Sequence, residues 1–302
     1  MVSEWREPAG STVDVYAARM TSNSPVSLQP DSGWKARLEL GFEARGTRTE
    51  LVRRRHTGPL LVQKALHPEG DAPCHAIVLH PPSGLVGGDQ LLLETTVGER
   101  SAALLTTPGA AKWYRSAGPL AVSRTHLRVD RGATLEYLPR EAIVFDGARV
   151  EAELSIDLAA DARLAAWDVW CLGRLHAGER FASGLVTAHM RLTVDGREVL
   201  YEHAQVEGAG LLRRSPAGLG GAPVFGTLLM VGAEPSPEDL AQCRALPVRE
   251  GYGGLTRLPD VLCARYRGQS TEAAHAWFES LWTVLRPVML GRIAVAPRIW
   301  AV

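Results

Sequence analysis

Four short stretches of this 302-residue chain set side chains that could do chemistry in distinctive patterns. His80-Pro81-Pro82-Ser83-Gly84-Leu85-Val86-Gly87-Gly88-Asp89 places an imidazole and a carboxylate in a glycine-rich turn. Phosphate binding is the chemistry such a turn suggests. A Walker loop, however, needs Gly-Lys-Ser/Thr opening a helix, and a dinucleotide fingerprint needs a helix whose N-terminal amides meet the phosphate. Gln90 to Val97 reads instead as a strand, so the turn is read as a rigid one in which glycine supplies positive φ. Thr106 to Ser116 carries Lys112 and Arg115, which could bind an anion or stand as solvated charges beside a buried aromatic. Leu138 to Ala148 carries Glu141 and Asp146, and odd spacing along a strand puts them on opposite faces, against a cooperating acid/base pair. Cys171-Leu172-Gly173-Arg174 follows a strand containing Trp167 and Trp170 and reads as strand, then turn.

Metal binding needs several deprotonated ligands converging on one point. The nine histidines form no HxH, no HxxxH on a predicted helix and no tract. Cys74 and His80 would share a strand face, yet six residues of strand hold them roughly 20 Å apart. Hydrogen-bonded or exposed side chains are the ordinary reading of such histidines. Cys74, Cys171, Cys243 and Cys263 make no CxxC pair, and no GxSxG elbow offers a nucleophile.

The elements that must position these residues are mostly strands. Val150, Ala152, Leu154, Ile156 and Leu158 alternate with Glu151, Glu153, Ser155 and Asp157, the period of a half-buried strand. Trp34, Ala36, Leu38, Leu40 and Phe42 repeat the pattern. Ala188, Met190, Leu192 and Val194 alternate up to Asp195-Gly196, a tight-turn dipeptide, and Val199 to Val206 supplies a return strand. Shorter runs at 60–66, 76–79, 91–97, 102–106, 127–129, 164–171 and 225–231 are strand-like between Gly and Pro punctuation.

Two helices are expected. One opens Ser236-Pro237-Glu238-Asp239, with a cap, proline in the first turn and early acids, and should run to about Leu246. The other spans about Thr271 to Leu285, with Ala274, Trp277, Phe278, Leu281, Trp282 and Leu285 on one stripe and Pro287 ending it. That stripe covers the domain's own core or docks a partner helix. Residues 209–223, rich in Gly, Pro and Arg without periodicity, read as a mobile loop or a segment ordered by a partner.

Thirty-three basic and 33 acidic residues cancel, which removes the electrostatic basis for binding nucleic acid or anionic lipid. Residues 1–32 lack the basic and apolar regions of a secretory signal and read as a disordered tail before a single β-rich domain over residues 33–302. Charged residues interrupt every hydrophobic run before membrane-spanning length. A cytoplasmic protein with reduced thiols is the expectation.

Read in order, HPPSGLVGGD (80–89), LTTPGAAKWYRS (105–116), LPREAIVFDGA (138–148), WCLGR (170–174) and LRPVMLGRIAVAPRIW (285–300) resemble the UreD (UreH) family of urease accessory proteins, from residue 80 to the C-terminus, with Trp34 to Phe42 similar to the family's opening strand. Ser83 stands where a glycine is usual, Arg140 where glutamine is usual and Ala142 where a polar residue is common. The resemblance implies a mainly β fold of helically wound, layered strands with a few helices, including the amphipathic one near the C-terminus. It implies a non-enzymatic scaffold that binds apo-urease and UreF, and through UreF the GTPase UreG, and that conducts nickel towards the urease active site. No tightly bound cofactor is implied, only nickel in transit, because a conduit must bind an ion weakly enough to release it.

On that reading His80, Asp89, Lys112, Glu141 and Asp146 are candidates for a channel wall or partner contacts, with Glu179 added from outside the blocks. Each could instead satisfy a buried turn. Leu211, Arg213, Arg214, Arg292, Arg298 and Trp300 are candidate partner anchors. The alternatives are a β-rich metal-dependent hydrolase using some of His80, Asp89, His176 and Glu179, or an interaction domain with no role in metals.

Overall fold

The computed structural model describes residues 33–301, so the tail expected over residues 1–32 lies outside the described part. The chain enters as β1 (Lys35–Arg45), β2 (Arg48–Thr57), β3 (Leu61–Leu66), β4 (Cys74–Leu79), β5 (Gly84–Leu85), β6 (Gln90–Val97), β7 (Ala102–Thr106), β8 (Ala111–Trp113) and β9 (Ala121–Val129). It continues as β10 (Thr134–Tyr137), β11 (Ala142–Val144), β12 (Arg149–Leu158), β13 (Arg163–Leu172), β14 (Leu185–Val194), β15 (Arg197–Glu207), β16 (Val224–Val231), β17 (Gly251–Arg257) and β18 (Leu262–Gly268). A short helix α1 (Leu211–Arg214) precedes β16, α2 (Pro237–Ala245) precedes β17, and α3 (Thr271–Leu285) follows β18.

Two sheets face each other. The first runs β15-β14-β12-β9-β6-β1-β2 and the second β17-β18-β16-β13-β10-β7-β4-β3, with β5, β8 and β11 stacked beside the second. From β4 to β12 the chain winds as a solenoid, each coil taking a strand of the second sheet, a short corner strand and a strand of the first: β4-β5-β6, β7-β8-β9, β10-β11-β12. Coils stack in parallel register, as in Leu93↔Thr125↔Leu154 on the first sheet and Leu104↔Glu136↔Ala165 on the second. The period-two pattern explains the first sheet: Val150, Leu154, Ile156 and Leu158 are buried between the sheets, while Glu151, Glu153 and Asp157 face away. β2 has no such alternation, since Arg53, Arg54, Arg55 and His56 are all exposed on an edge strand. That is why its sequence gives no strand signal.

β13 is buried on both faces. Leu164, Ala166, Trp170 and Leu172 pack between the sheets, and Ala165, Trp167, Val169 and Cys171 pack beneath α3. The expected aromatic stripe makes that second core: Ala274, Trp277, Phe278, Leu281, Trp282 and Leu285 are all buried against the second sheet. Each large apolar side chain so placed is worth about 1.5–3 kcal/mol. Ser270 caps α3 by accepting from the Ala273 N–H at 3.1 Å, and Ser236 and Asp239 form the reciprocal box that opens α2. Pro287 does not stop the chain abruptly. After Leu285 a π-helical turn, Arg286–Leu290, carries on, and Gly291 closes it in the left-handed conformation at φ 71°. Pro287 lacks the N–H that would continue the α-helical ladder, and the wider turn takes over at that point.

Residues 209–223 are held by the chain itself. Arg267 donates to the Pro216 and Gly218 carbonyls at 2.8 and 2.6 Å, and Arg213 to Gly208 at 2.6 Å. Turn bonds and long arginines fix this segment, neither of which leaves a period in the sequence.

Candidate functional site

The motif blocks, far apart in sequence, stack at one corner of successive coils. Gly84 pairs with Lys112, Lys112 with Ile143 and Ile143 with Cys171, while Leu85, Trp113, Val144 and Leu172 form the adjoining row. The Tyr114 N–H bonds to the Leu85 carbonyl, Phe145 to Trp113 and Gly173 to Val144, at 2.7–2.9 Å. Gly84 must be glycine, because a Cβ there would meet the Lys112 carbonyl at 2.7 Å. Ser83 sits at φ 67°, a conformation glycine adopts without steric cost.

Most polar side chains of the corner hold it together. Asp89 is buried and accepts from the Trp34 and Val86 N–H groups, both at 2.8 Å. Burial pushes the nearby His80 imidazole below its usual value, against the opposing pull of Asp89. Lys112 lies half-buried on β8. Glu141 accepts from His275 Nε2 at 3.1 Å. Burial alone would raise its carboxyl, but the His275 hydrogen bond and nearby Arg140 hold it low. Asp146 accepts from the Ser183 and Ala182 N–H groups at 2.7 and 2.8 Å, which holds its carboxyl below the usual carboxylate range, with Arg115 beside it at 3.3 Å. Glu179 accepts from Arg174 at 2.6 Å and from the Asp146 N–H at 3.1 Å, and Arg174 holds it low. Asp146 and Glu179, 33 positions apart, thus meet in one network, whereas Glu141 turns to α3.

The candidate partner anchors diverge. Leu211 is 76% exposed and Arg214 is exposed, while Arg213 braces its own loop. Arg292 donates to the Ala72 carbonyl at 2.8 Å. Arg298 is exposed in a final 3-10 turn. Trp300 turns inward, packing on Trp167 and Trp282 and donating to Thr106 Oγ1 at 2.9 Å.

A cavity of about 800 Å³ lies between the sheets towards their β15 and β17 edges. Small side chains make the room: Ser123, Ala152, Ala188 and Ala204 occupy one register row across β9, β12, β14 and β15, and Gly254 lies on β17. The lining is mixed. Glu202 on β15 pairs with Arg265 on β18 across the gap, and Arg267 stands over the Tyr252 ring at 5.3 Å. Asp168 accepts from Trp170 Nε1 at 2.9 Å and the Thr227 N–H at 3.0 Å. Burial pushes its carboxyl up despite those bonds.

Sequence reading missed a second buried assembly. Arg286, wholly inaccessible, binds Glu136 through Nη2 at 2.8 Å and Nε at 3.0 Å, and Glu69 through Nη1 at 2.7 Å and Nη2 at 2.9 Å. His75 Nε2 contacts Glu69 at 2.8 Å and Trp282 Nε1 donates to Glu136 at 2.7 Å. The available signals were single charges inside apolar runs: Glu136 in Thr134–Tyr137, Asp168 in Arg163–Leu172, Arg286 beside Pro287.

Among the described residues, no group of three or more His, Cys, Asp or Glu side chains is arranged to hold a metal ion. The four cysteines are unpaired and buried, and burial raises each thiol to about 11. No described helix is long and apolar enough to cross a membrane.

Fold and site together define a β-solenoid scaffold whose sequence blocks converge on one corner beside a cavity between the sheets that opens to the surface. Comparison with known proteins identifies the kind. The pattern for "UreD urease accessory protein" matches residues 35–301. The urease accessory protein UreD of Dechloromonas aromatica is 52% identical over 287 residues, covering 93% of this chain and 99% of that protein. Its Pseudomonas aeruginosa counterpart is 47% identical over 284 residues, covering 93% of this chain and the whole of that protein. The chain belongs to the UreD family of urease accessory proteins.

Proposed function

We propose that this protein binds apo-urease together with UreF, and through UreF the GTPase UreG, in the cytoplasm, and that nickel crosses its interior on the way to the urease active site. The observation that carries the conduction reading is the cavity between the sheets, with Asp168 and the Glu202–Arg265 pair among its polar groups. Mixed, partly neutralised charge suits passage, since an ion held too tightly would not leave. Exposed Leu211, Leu212 and Tyr252 lie on α1 and β17, beside the cavity's lining, and give a docking partner apolar surface. Arg214 and Arg298 add exposed cations to the available surface.

The test is to express urease subunits and accessory proteins with the wild-type chain, without it, and with Ala188→Phe, which fills the centre of the alanine row. Nickel content, ureolysis and co-purification are measured. The expected result is loss of nickel loading without the chain, and several-fold lower loading with Ala188→Phe while complexes still assemble. Equal activation at limiting nickel without the chain would overturn the accessory role. Normal loading by an assembled Ala188→Phe complex would overturn conduction through the cavity.

A further inference from the structure

On the two strands that wall the cavity, strand alternation turns a pair of histidines to the outer face of the first sheet, although both residues also border the cavity. His189 on β14 and His203 on β15 are direct cross-strand partners. Their rings lie 4.5 Å apart at an interplanar angle of 5°. The pairing depends on an irregularity in the hairpin. Past the Asp195-Gly196 turn, Val194 pairs with Arg197 and Thr193 with Glu198, but Leu192 then pairs with Leu200, so Val199 is an extra residue on the return strand. Without that bulge His189 would face Glu202, whose side chain points across the cavity to Arg265. With it, His189 faces His203, both on the side away from the core, while Ala188 faces Ala204 on the cavity side.

We infer that His189 and His203 form an open, exchangeable two-imidazole site for a late first-row divalent transition ion such as Ni²⁺ or Zn²⁺. Imidazole nitrogen is a preferred donor for these metals and a poor one for Mg²⁺ or Ca²⁺. Metal–nitrogen bonds of about 2.0–2.1 Å require two neighbouring donors to approach to roughly 3 Å. Facing rings on adjacent strands reach that by modest side-chain rotation with the backbone unchanged. The Tyr201 hydroxyl contacts His189 Nδ1 at 3.2 Å; with Nδ1–H donating to that hydroxyl the ring is oriented and Nε2 is left to bind the metal, the usual arrangement behind a metal-bound histidine. His203 is exposed, and its ring is stacked on that of His189. On the other side of His189, Glu153 occupies the next position in the row and feels the imidazole's charge. Its carboxylate is engaged by Arg124 at 3.5 Å and His126 at 3.6 Å and does not serve as a third ligand. Water fills the remaining positions, so the ion exchanges readily. The inference does not depend on conduction through the interior.

The experiment titrates Ni²⁺ and, separately, Zn²⁺ into the untagged full-length chain and follows binding by calorimetry. Residues 1–32 contribute no histidine or cysteine to confuse the result. His203→Ala and His189→Ala, each on the solvent-facing side of the hairpin, should each weaken one binding event at least tenfold with unchanged circular dichroism. His126→Ala, on the same face two strands from His189, should change it by less than twofold. Mg²⁺ should not compete at millimolar concentration. Undiminished binding in both single variants, or equal loss in His126→Ala, would overturn the site. Nickel loading of urease is read separately: a folded His203→Ala chain that loses metal binding but still activates urease supports the site and removes it from the delivery route.

Discussion

At the scale of single residues, the sharpest contrast is between Arg286 and the charges that drew attention in the sequence. Arg286 has no solvent access and stands between Glu69 and Glu136. Such an assembly stabilises little against an apolar substitute, yet breaking it strands two carboxylates in the interior. Arg286→Ala should therefore cost about 3–5 kcal/mol, read as a lower urea midpoint at pH 7. A loss below 1 kcal/mol would mean that water reaches the pair and that the arginine is not essential to it. Asp89 and Asp146, with Glu179 from outside the blocks, show how carboxylates at this corner are consumed by backbone N–H groups and arginines, which makes the corner rigid. Sequence could mark these residues as candidates but not show which of their oxygens were already occupied.

Among the elements, α3 was the most legible, because a helix covering a sheet must repeat apolar residues every three to four positions. Phe278, wholly buried and stacked near Trp167 at 6.3 Å between centroids, sits at the middle of its stripe. Phe278→Ala should destabilise by about 3–5 kcal/mol and should loosen Trp167, seen as a change in near-UV circular dichroism. A partner-docking stripe would instead tolerate the change in the isolated chain while losing a complex. β12, β14 and β15 were also readable, since one polar face keeps the alternation clean. β2, β5, β8 and β17 were not. They are a charged edge, two corner strands of two or three residues, and a glycine-rich edge, and none buries one face along a run long enough to show a period.

For the molecule as a whole, the acid response follows from its carboxylates. Glu69 is pushed up by burial but held low overall by hydrogen bonds from His75 and Arg286. Glu141 is held low against its burial, and Glu153 by the His126 hydrogen bond above all. A group whose folded value is depressed stabilises the fold above its unfolded value, about 4.3 for Glu, and that contribution fades as pH falls through the lower folded value. Asp168, raised by burial, has the opposite sign: its contribution declines as pH rises from about 3.9 towards its folded value. Four depressed glutamates, counting Glu179, together with depressed Asp146, outnumber raised Asp168 and Glu279 and predict a urea midpoint that falls below about pH 4. Glu69→Gln should flatten that fall. An unchanged profile in this variant would mean that Glu69 is not held low in the fold.

By itself the sequence determined the kind of body, strands layered with a few helices, because burial on one face imposes a period that no other force writes so regularly. Its ordered blocks also pointed to the UreD family. Only the tertiary structure decided that those blocks stack at one corner, that alanines align to open a cavity, and that His189 meets His203. Parallel coils joined by turns of unequal length have registers set by packing between strands distant in the chain, and a single bulged residue changes which side chains meet. Neither leaves a local trace that a linear reading can follow.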